Sequence, residues 1–381
     1  MIVEGLPAGL SVTKEHLVDE LARRRLGYGR GPRMLIEKDE LTLLAGVRHG
    51  RTLGSPVAVE IANTEWAKWE KEMSPDPGKP STVLTKPRPG HADLAGMQKY
   101  GFDDARDVLE RASARETAAR VAVGAIAKAL IAELGIKVVS HVISIGGASV
   151  TSQHRPGPDD LDRVDSSPVR CFDPLGEQAM VEEIKRAAKE GDSLGGVAEV
   201  IAYGVPVGLG SHVHWDRKLD ALIAMALMSI QAVKAVEIGE GVEVSRKRGS
   251  QAHDSITWDP DGATYSRLTF RAGGIEGGMS SGAPIIARAF MKPLATLNKP
   301  VVTTVDVRTK QVSASFKERT DITAVPAMGV VAEAMLAIVL ANEAIRKFGG
   351  DSVAELIRNW KGYLADLKSS SLSRADTRPE L

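Results

Sequence analysis

Five arginines fall within the eleven residues from 23 to 33, interleaved with Gly27, Gly29 and Gly31. A guanidinium grips carboxylate or phosphate with two charge-assisted hydrogen bonds, and glycine lets backbone approach a ligand closely. The segment therefore suits a small polyanion, although it also fits a solvated basic helix end or an RNA contact. A second run, Arg88-Pro-Gly-His-Ala-Asp93, sets a histidine after a rigid turn with a carboxylate two residues on. His91 so placed can exchange a proton near neutral pH. A loop histidine can equally be exposed or hydrogen-bonded with no chemical task. His16, His49, His141, His154 and His212 stand outside any motif and read as structural, and His214 beside Trp215 reads as packing.

Between residues 110 and 124, Arg111 and Arg115 are four apart and on a helix would share a face, with Ser113 beside them and Glu116 able to pair with Arg120. An ordinary salt-bridged helix surface has the same pattern. Residues 246–254 form another basic, histidine-containing run, and five glycines in the ten residues 273–282 suggest backbone wrapped against a flat or phosphorylated ligand, or a flexible loop. Lys292 is followed by a hydroxyl at Thr296. Arg319-Thr-Asp321 sets an anion-binding cation beside a carboxylate at the start of a long apolar run. The dinucleotide fingerprint, the phosphate loop, the zinc-protease helix and the nucleophile elbow are all missing.

The elements that must position these groups can be read from periodicity. Thr13 is a natural N-cap for a helix carrying Leu17, Val18 and Leu21, which delivers the arginine loop. Strand-like composition at 34–37, 41–47 and 56–62 predicts an antiparallel meander. Residues 63–90 hold five prolines and read as a long surface loop. A helix is predicted over 104–134 and ended by Gly135, followed by strands at 138–145 and 197–205 around a short helix near 181–189. A helix over 219–236 ending at Gly239, strands at 268–270, 284–289 and 301–307, and a helix over 324–348 follow. Residues 364–381 read as a frayed tail. Strands in runs with single long helices between them predict the α+β class, as one domain over 1–365 and a disordered tail over 366–381.

Composition bounds the partners. Lysine plus arginine and aspartate plus glutamate both number 49 in 381 residues, so there is no bulk field for nucleic acid or anionic membrane. Aromatic residues, 4% of the chain, are too sparse for base-stacking platforms. No stretch approaches the roughly 20 uncharged apolar residues of a membrane span. The N-terminus lacks the pattern of a secretion signal. A single cysteine, Cys171, excludes an internal disulfide and suits the cytoplasm.

Taken together and in order, these runs resemble the chorismate synthase family. Residues 110–126 are similar to its central signature and 319–335 to its C-terminal one. Residues 21–31, 63–66, 88–93, 99–101, 195–196, 236–239, 249–250 and 253–254 also look like family blocks. The resemblance implies a β-α-β sandwich with long helices packed between antiparallel sheets, assembled as a homotetramer. It implies conversion of 5-enolpyruvylshikimate 3-phosphate to chorismate and phosphate by a 1,4-elimination that requires reduced FMN, with NADPH as a candidate reductant. By similarity, Arg24, Arg30, Arg115 and Arg319 would hold substrate. Arg111, Ala112, Ser113, Gln231, Ala232, Gly278, Lys292, Pro293, Leu294, Ala295, Thr296 and Arg319 would line the flavin site. His91 and Asp321 would be catalytic. Family members carry a strand and a Gly-Glu-Ser-His-Gly run upstream of the Val-Glu-Gly found here at 3–5, and with it a second histidine and a serine. That leaves as an alternative an N-terminally shortened paralogue that binds FMN or associates as a subunit with little or no catalysis.

Overall fold

The computed structural model describes residues 1–31, 39–152, 154–299, 302–314 and 321–369. Thr13 caps the first helix, α1 (Lys14–Arg24), by accepting the His16 N–H at 3.2 Å. Leu17 and Leu21, one turn apart, are fully buried on its inner face. The helix rests on a small antiparallel sheet of β1 (Ile2–Val3), β2 (Leu41–Ala45) and β3 (Val57–Ile61), in the order β1-β3-β2. The strand predicted at 34–37 lies outside the described residues.

The single helix predicted over 104–134 is two helices. After α2 (Asp93–Tyr100) and α3 (Arg106–Ala112), Ser113 is extended, with φ −63° and ψ 136°, and its Oγ accepts the Arg115 N–H at 3.2 Å. A serine hydroxyl offers the backbone an alternative to the helical ladder, and here it wins. One 3₁₀ turn then leads into α4 (Thr117–Ala132). Arg111 and Arg115 consequently do not share a continuous helix face. The Glu116–Arg120 pair does form, at 2.9 Å.

A five-stranded antiparallel sheet dominates the other side. It contains β4 (Lys137–Ile145), β5 (Ala148–Ser149), β6 (Gly196–Tyr203), β7 (Val233–Ile238) and β8 (Ile285–Met291), ordered β5-β4-β6-β8-β7. Helix α5 (Pro174–Glu190) joins β5 to β6. The helix predicted over 219–236 ends early: α6 covers only Leu219–Met228, Ala232 turns the chain with φ +66°, and β7 pairs with β8 as an edge strand. The β-branched residues Val233, Val236 and Ile238 gain more on a pleated sheet than in a helix. Residues 268–270 are not a strand either. The hairpin there runs Ile256–Asp259 with Thr264–Arg267, and its ladder ends at the pairing of Ile256 with Arg267. The strand predicted at 301–307 is confined to Thr303–Val305 within the described residues.

Helix α7 (Val325–Phe348) lies on β4 and β6 and against α4, which in turn packs on α1. The helices thus form a layer between the two sheets. By length and composition α7 could span a bilayer, more than the sequence led one to expect, but most of it is buried in the protein and it carries Glu333 and Glu343. The last helix, α8 (Val353–Ser369), continues through 364–369, where a frayed tail was predicted. Tyr363 explains the difference: its ring lies 5.7 Å from Phe348 and its hydroxyl donates to the Val207 carbonyl at 3.1 Å, so the helix is tied down.

A buried ionic cluster joins these layers. Glu333 of α7, fully enclosed, accepts from Arg23 of α1 at 2.7 Å, Lys128 of α4 at 2.6 Å and Arg170 at 3.0 Å, and from the Ser140 hydroxyl of β4 at 2.7 Å. Burial alone would raise its pKa, but the three cations hold the carboxyl well below the usual range.

Candidate active site

The end of α1 and the start of α7 bring the arginine loop onto its partner carboxylate. Gly29 accepts the Ile322 N–H at 2.8 Å, the Gly31 N–H donates to Asp321 Oδ1 at 2.6 Å, and Arg30 Nε lies 2.9 Å from Asp321 Oδ2. Gly27 and Gly29 have positive φ, and a Cβ on either would lie within 3.0 Å of Pro326 or Ile184. Glycine is therefore required for the loop to lie this close. Arg24, 5% exposed, sits between Thr117, at 3.5 Å from its Nη1, and Asp39, at 3.8 Å from its Nη2. Arg115 binds the other oxygen of the same Asp39 and reaches the Ala62 carbonyl at 3.4 Å. Two guanidiniums facing one carboxylate leave net positive charge, which suits an anionic ligand. Arg319 lies outside the described residues.

The second half of the site is built from turns. Gly90, with φ +76°, offers its carbonyl to Lys292 Nζ, so the Pro-Gly-His turn rests on the 292–296 loop. His91 Nδ1 bonds to Asp93 Oδ1, Arg88 Nε donates to Asp93 Oδ2 at 2.9 Å, and Arg88 Nη1 reaches Thr296 Oγ1 at 3.4 Å. The 292–296 loop is held in turn by the Lys292 N–H donating to the Ala232 carbonyl at 2.9 Å and the Ser193 hydroxyl donating to the Leu294 carbonyl at 2.8 Å. Gly195 matters here because a Cβ would sit 2.2 Å from the Met291 carbonyl.

Gln231 connects the two halves. Its Nε2 donates to Glu116 Oε2 at 2.7 Å, and Glu116 stands at the turn bearing Ser113 and Arg115. Burial pushes the Glu116 carboxyl up, but the Gln231 and Arg120 hydrogen bonds outweigh it and hold the pKa below its ordinary value. The Oε1 of Gln231 is buried and accepts nothing among the described residues. A buried amide oxygen that lacks a donor fits a ligand N–H, such as the one a flavin ring carries. With Lys292 close by to meet a phosphate, these residues fit FMN.

Gly278 lies at the other end of α6 from Gln231. Its carbonyl accepts the Leu219 N–H at 2.9 Å, at the beginning of α6, whereas Gln231 follows the end of that ten-residue helix, about 15 Å away at 1.5 Å per residue. A Cβ there would lie 2.6 Å from Lys218 Cγ, so its glycine serves local packing. The residue that sequence reasoning missed is Asp39. It belongs to no motif, and only the fold puts it between Arg24 and Arg115. Cys171 takes no part: it is 3% exposed, and burial pushes its thiol up to about 11.

Helix ends and turns that bring Arg24 and Arg115 onto one carboxylate, with a histidine–carboxylate turn alongside, suit an enzyme that moves a proton beside an anionic ligand. The chain belongs to the chorismate synthase family, whose model matches residues 1–345. It is 57% identical over 376 residues to a chorismate synthase of Thermobifida fusca, across 96% of this chain and 95% of that one. It is also 57% identical to a chorismate synthase of Streptomyces coelicolor, across 96% and 94% respectively. A crystal structure of chorismate synthase superposes with a TM-score of 0.77 at 40% identity, covering 97% of this chain and 94% of that one. The alternative of a shortened, non-catalytic relative finds no support in these matches, since the chain spans nearly the whole length of each.

Proposed function

We propose that this chain converts 5-enolpyruvylshikimate 3-phosphate to chorismate and phosphate with FMNH2 at the site described above. The observation that carries the reading is the path from Arg24 and Arg115, which share Asp39, through the neighbouring Glu116 and its bond from Gln231 to the Ala232–Lys292 contact and the His91 turn. Arg24, Arg30 and Arg115 hold the carboxylates and phosphate of the substrate, with Arg319 assigned beside them by similarity. Fixed positive charge there also meets the phosphate as it departs. Arg111, Ala112, Ser113, Gln231, Ala232 and the 292–296 loop cradle the cofactor. When bound, reduced FMN supplies electron density and a proton acceptor for an elimination that has no net redox change. Asp321, an acceptor already engaged by Arg30 and the Gly31 N–H, orients the proton path from the ring carbon. His91 holds or moves a proton beside the cofactor.

We place the enzyme in the cytoplasm as a homotetramer, with NADPH or another donor reducing the flavin, and assign it neither a nucleic-acid nor a membrane partner. Family habit, the single buried cysteine and the balanced charge support this placement. Anaerobic turnover with photoreduced FMN is the test: chorismate should accumulate stoichiometrically with phosphate. Arg24→Ala should raise the substrate KM roughly 10- to 100-fold, as expected for loss of a charge-assisted hydrogen bond worth about 1.5–3 kcal/mol. No chorismate from FMN-loaded enzyme would sink the proposal.

A further inference from the structure

A histidine that moves a proton needs that proton on a defined nitrogen, and the turn around His91 contains the means to define it. Asp93 is completely buried in the first turn of α2. Its Oδ2 accepts the Arg88 backbone N–H at 3.0 Å and Arg88 Nε at 2.9 Å, and its Oδ1 accepts Arg88 Nη2 at 3.3 Å and meets His91 Nδ1. Arg88 Nη2 lies across the ring edge, 3.1 Å from His91 Nδ1 and 3.3 Å from Nε2. Burial pushes the Asp93 carboxyl up, but the His91 and Arg88 hydrogen bonds leave it well below the ordinary range, so it is an ionised acceptor.

The carboxylate then decides how the ring is protonated. A carboxylate only accepts, so Nδ1 carries the proton. Arg88 Nη2, near both ring nitrogens, selects neither, and its part is to hold Asp93 in place. The Asp93 contact thus selects the Nδ1–H tautomer of the neutral ring. We infer that Asp93, held in place by Arg88, is a positioning residue that fixes His91 as the Nδ1–H tautomer, leaving Nε2 as the atom that exchanges the proton. Thr296, 3.4 Å from Arg88 Nη1, ties this arrangement to the 292–296 loop, so the same contacts that seat the loop orient the histidine.

The inference rests on His91 being the proton-handling residue, and the experiment separates the two. In the full chain labelled with ¹⁵N-histidine, the His91 signals, assigned by their loss in His91→Ala, should report Nδ1–H above the titration of the ring. An Nε2–H ring would overturn the inference without any substitution at position 93. Asp93→Asn should lower kcat roughly 10- to 100-fold. It should cost nothing further in the His91→Ala background, because its effect passes through the imidazole. An equal loss in both backgrounds would overturn the positioning role, since a purely structural change acts whether or not the ring is there. Full turnover by His91→Ala would overturn the reading of His91 itself.

Discussion

Arg24 and Arg115 reach Asp39 from different directions, and their difference in exposure suggests different duties. Arg24 is nearly enclosed and held by Thr117 as well, whereas the Arg115 side chain is 25% exposed. Arg115 is therefore the more available to an incoming anion. Arg115→Lys keeps the charge and loses the fork. Substrate KM is expected to rise about tenfold, with FMN affinity unchanged, in steady-state assays under reducing conditions. A rise in the dissociation constant for FMN instead would place Arg115 on the cofactor. In the sequence these arginines were visible as anion binders, but their shared counter-charge was not, because Asp39 is far from both in the chain.

At the level of elements, α4 and α7 approach each other closely at Gly124. A Cβ on Gly124 would lie 2.2 Å from the Ala334 Cβ and 2.5 Å from its Cα. The obstacle includes backbone, so a rotamer change cannot relieve it. Gly124→Ala would gain up to about 1 kcal/mol in helix propensity. Overpacking costs about 1–3 kcal/mol and falls at the upper end here. Urea unfolding should show a net loss of about 2 kcal/mol, and a stabilised variant would mean that the helices are further apart. Apolar periodicity made α1, α4 and α7 legible. The break at Ser113 and the strand at 233–238 were not, because the competing conformations differ only through a serine hydrogen bond in one case and a strand partner in the other.

Across the whole molecule, the central sheet carries a charged row on one face. Cross-strand neighbours His141, Glu199, Arg288 and Glu237 follow one another over β4, β6, β8 and β7, and Arg155 closes over Glu199 at 2.7 Å. Glu199 is 2% exposed. Burial works against its charge, but hydrogen bonds from His141 and Arg155 and the charges of Arg155 and Arg288 lower its pKa to about 2. A depressed carboxylate contributes stability that is complete above its unfolded value and lost as pH falls through the folded one. The window is from about pH 4.5 down to about 2, and the contribution is on the order of 3 kcal/mol. Glu199→Gln should be less stable than the parent at pH 7, with the gap closing through that window in denaturant titrations. A gap independent of pH would show that the row contributes by packing rather than by charge.

The amino-acid sequence by itself determined the α+β class, the buried faces of the long helices and the family, because these depend on local periodicity and on motifs that survive as contiguous runs. It also singled out His91, Asp321 and the arginine loop. Tertiary structure alone decided that Asp39 is shared by Arg24 and Arg115, that Gln231 links the two halves of the site, that Gly278 lies at the far end of α6, and that Glu333 gathers three cations. Each of those facts joins residues distant in the chain, and the free energy that brings them together comes from burying the layers between the two sheets, a quantity no short window of sequence contains.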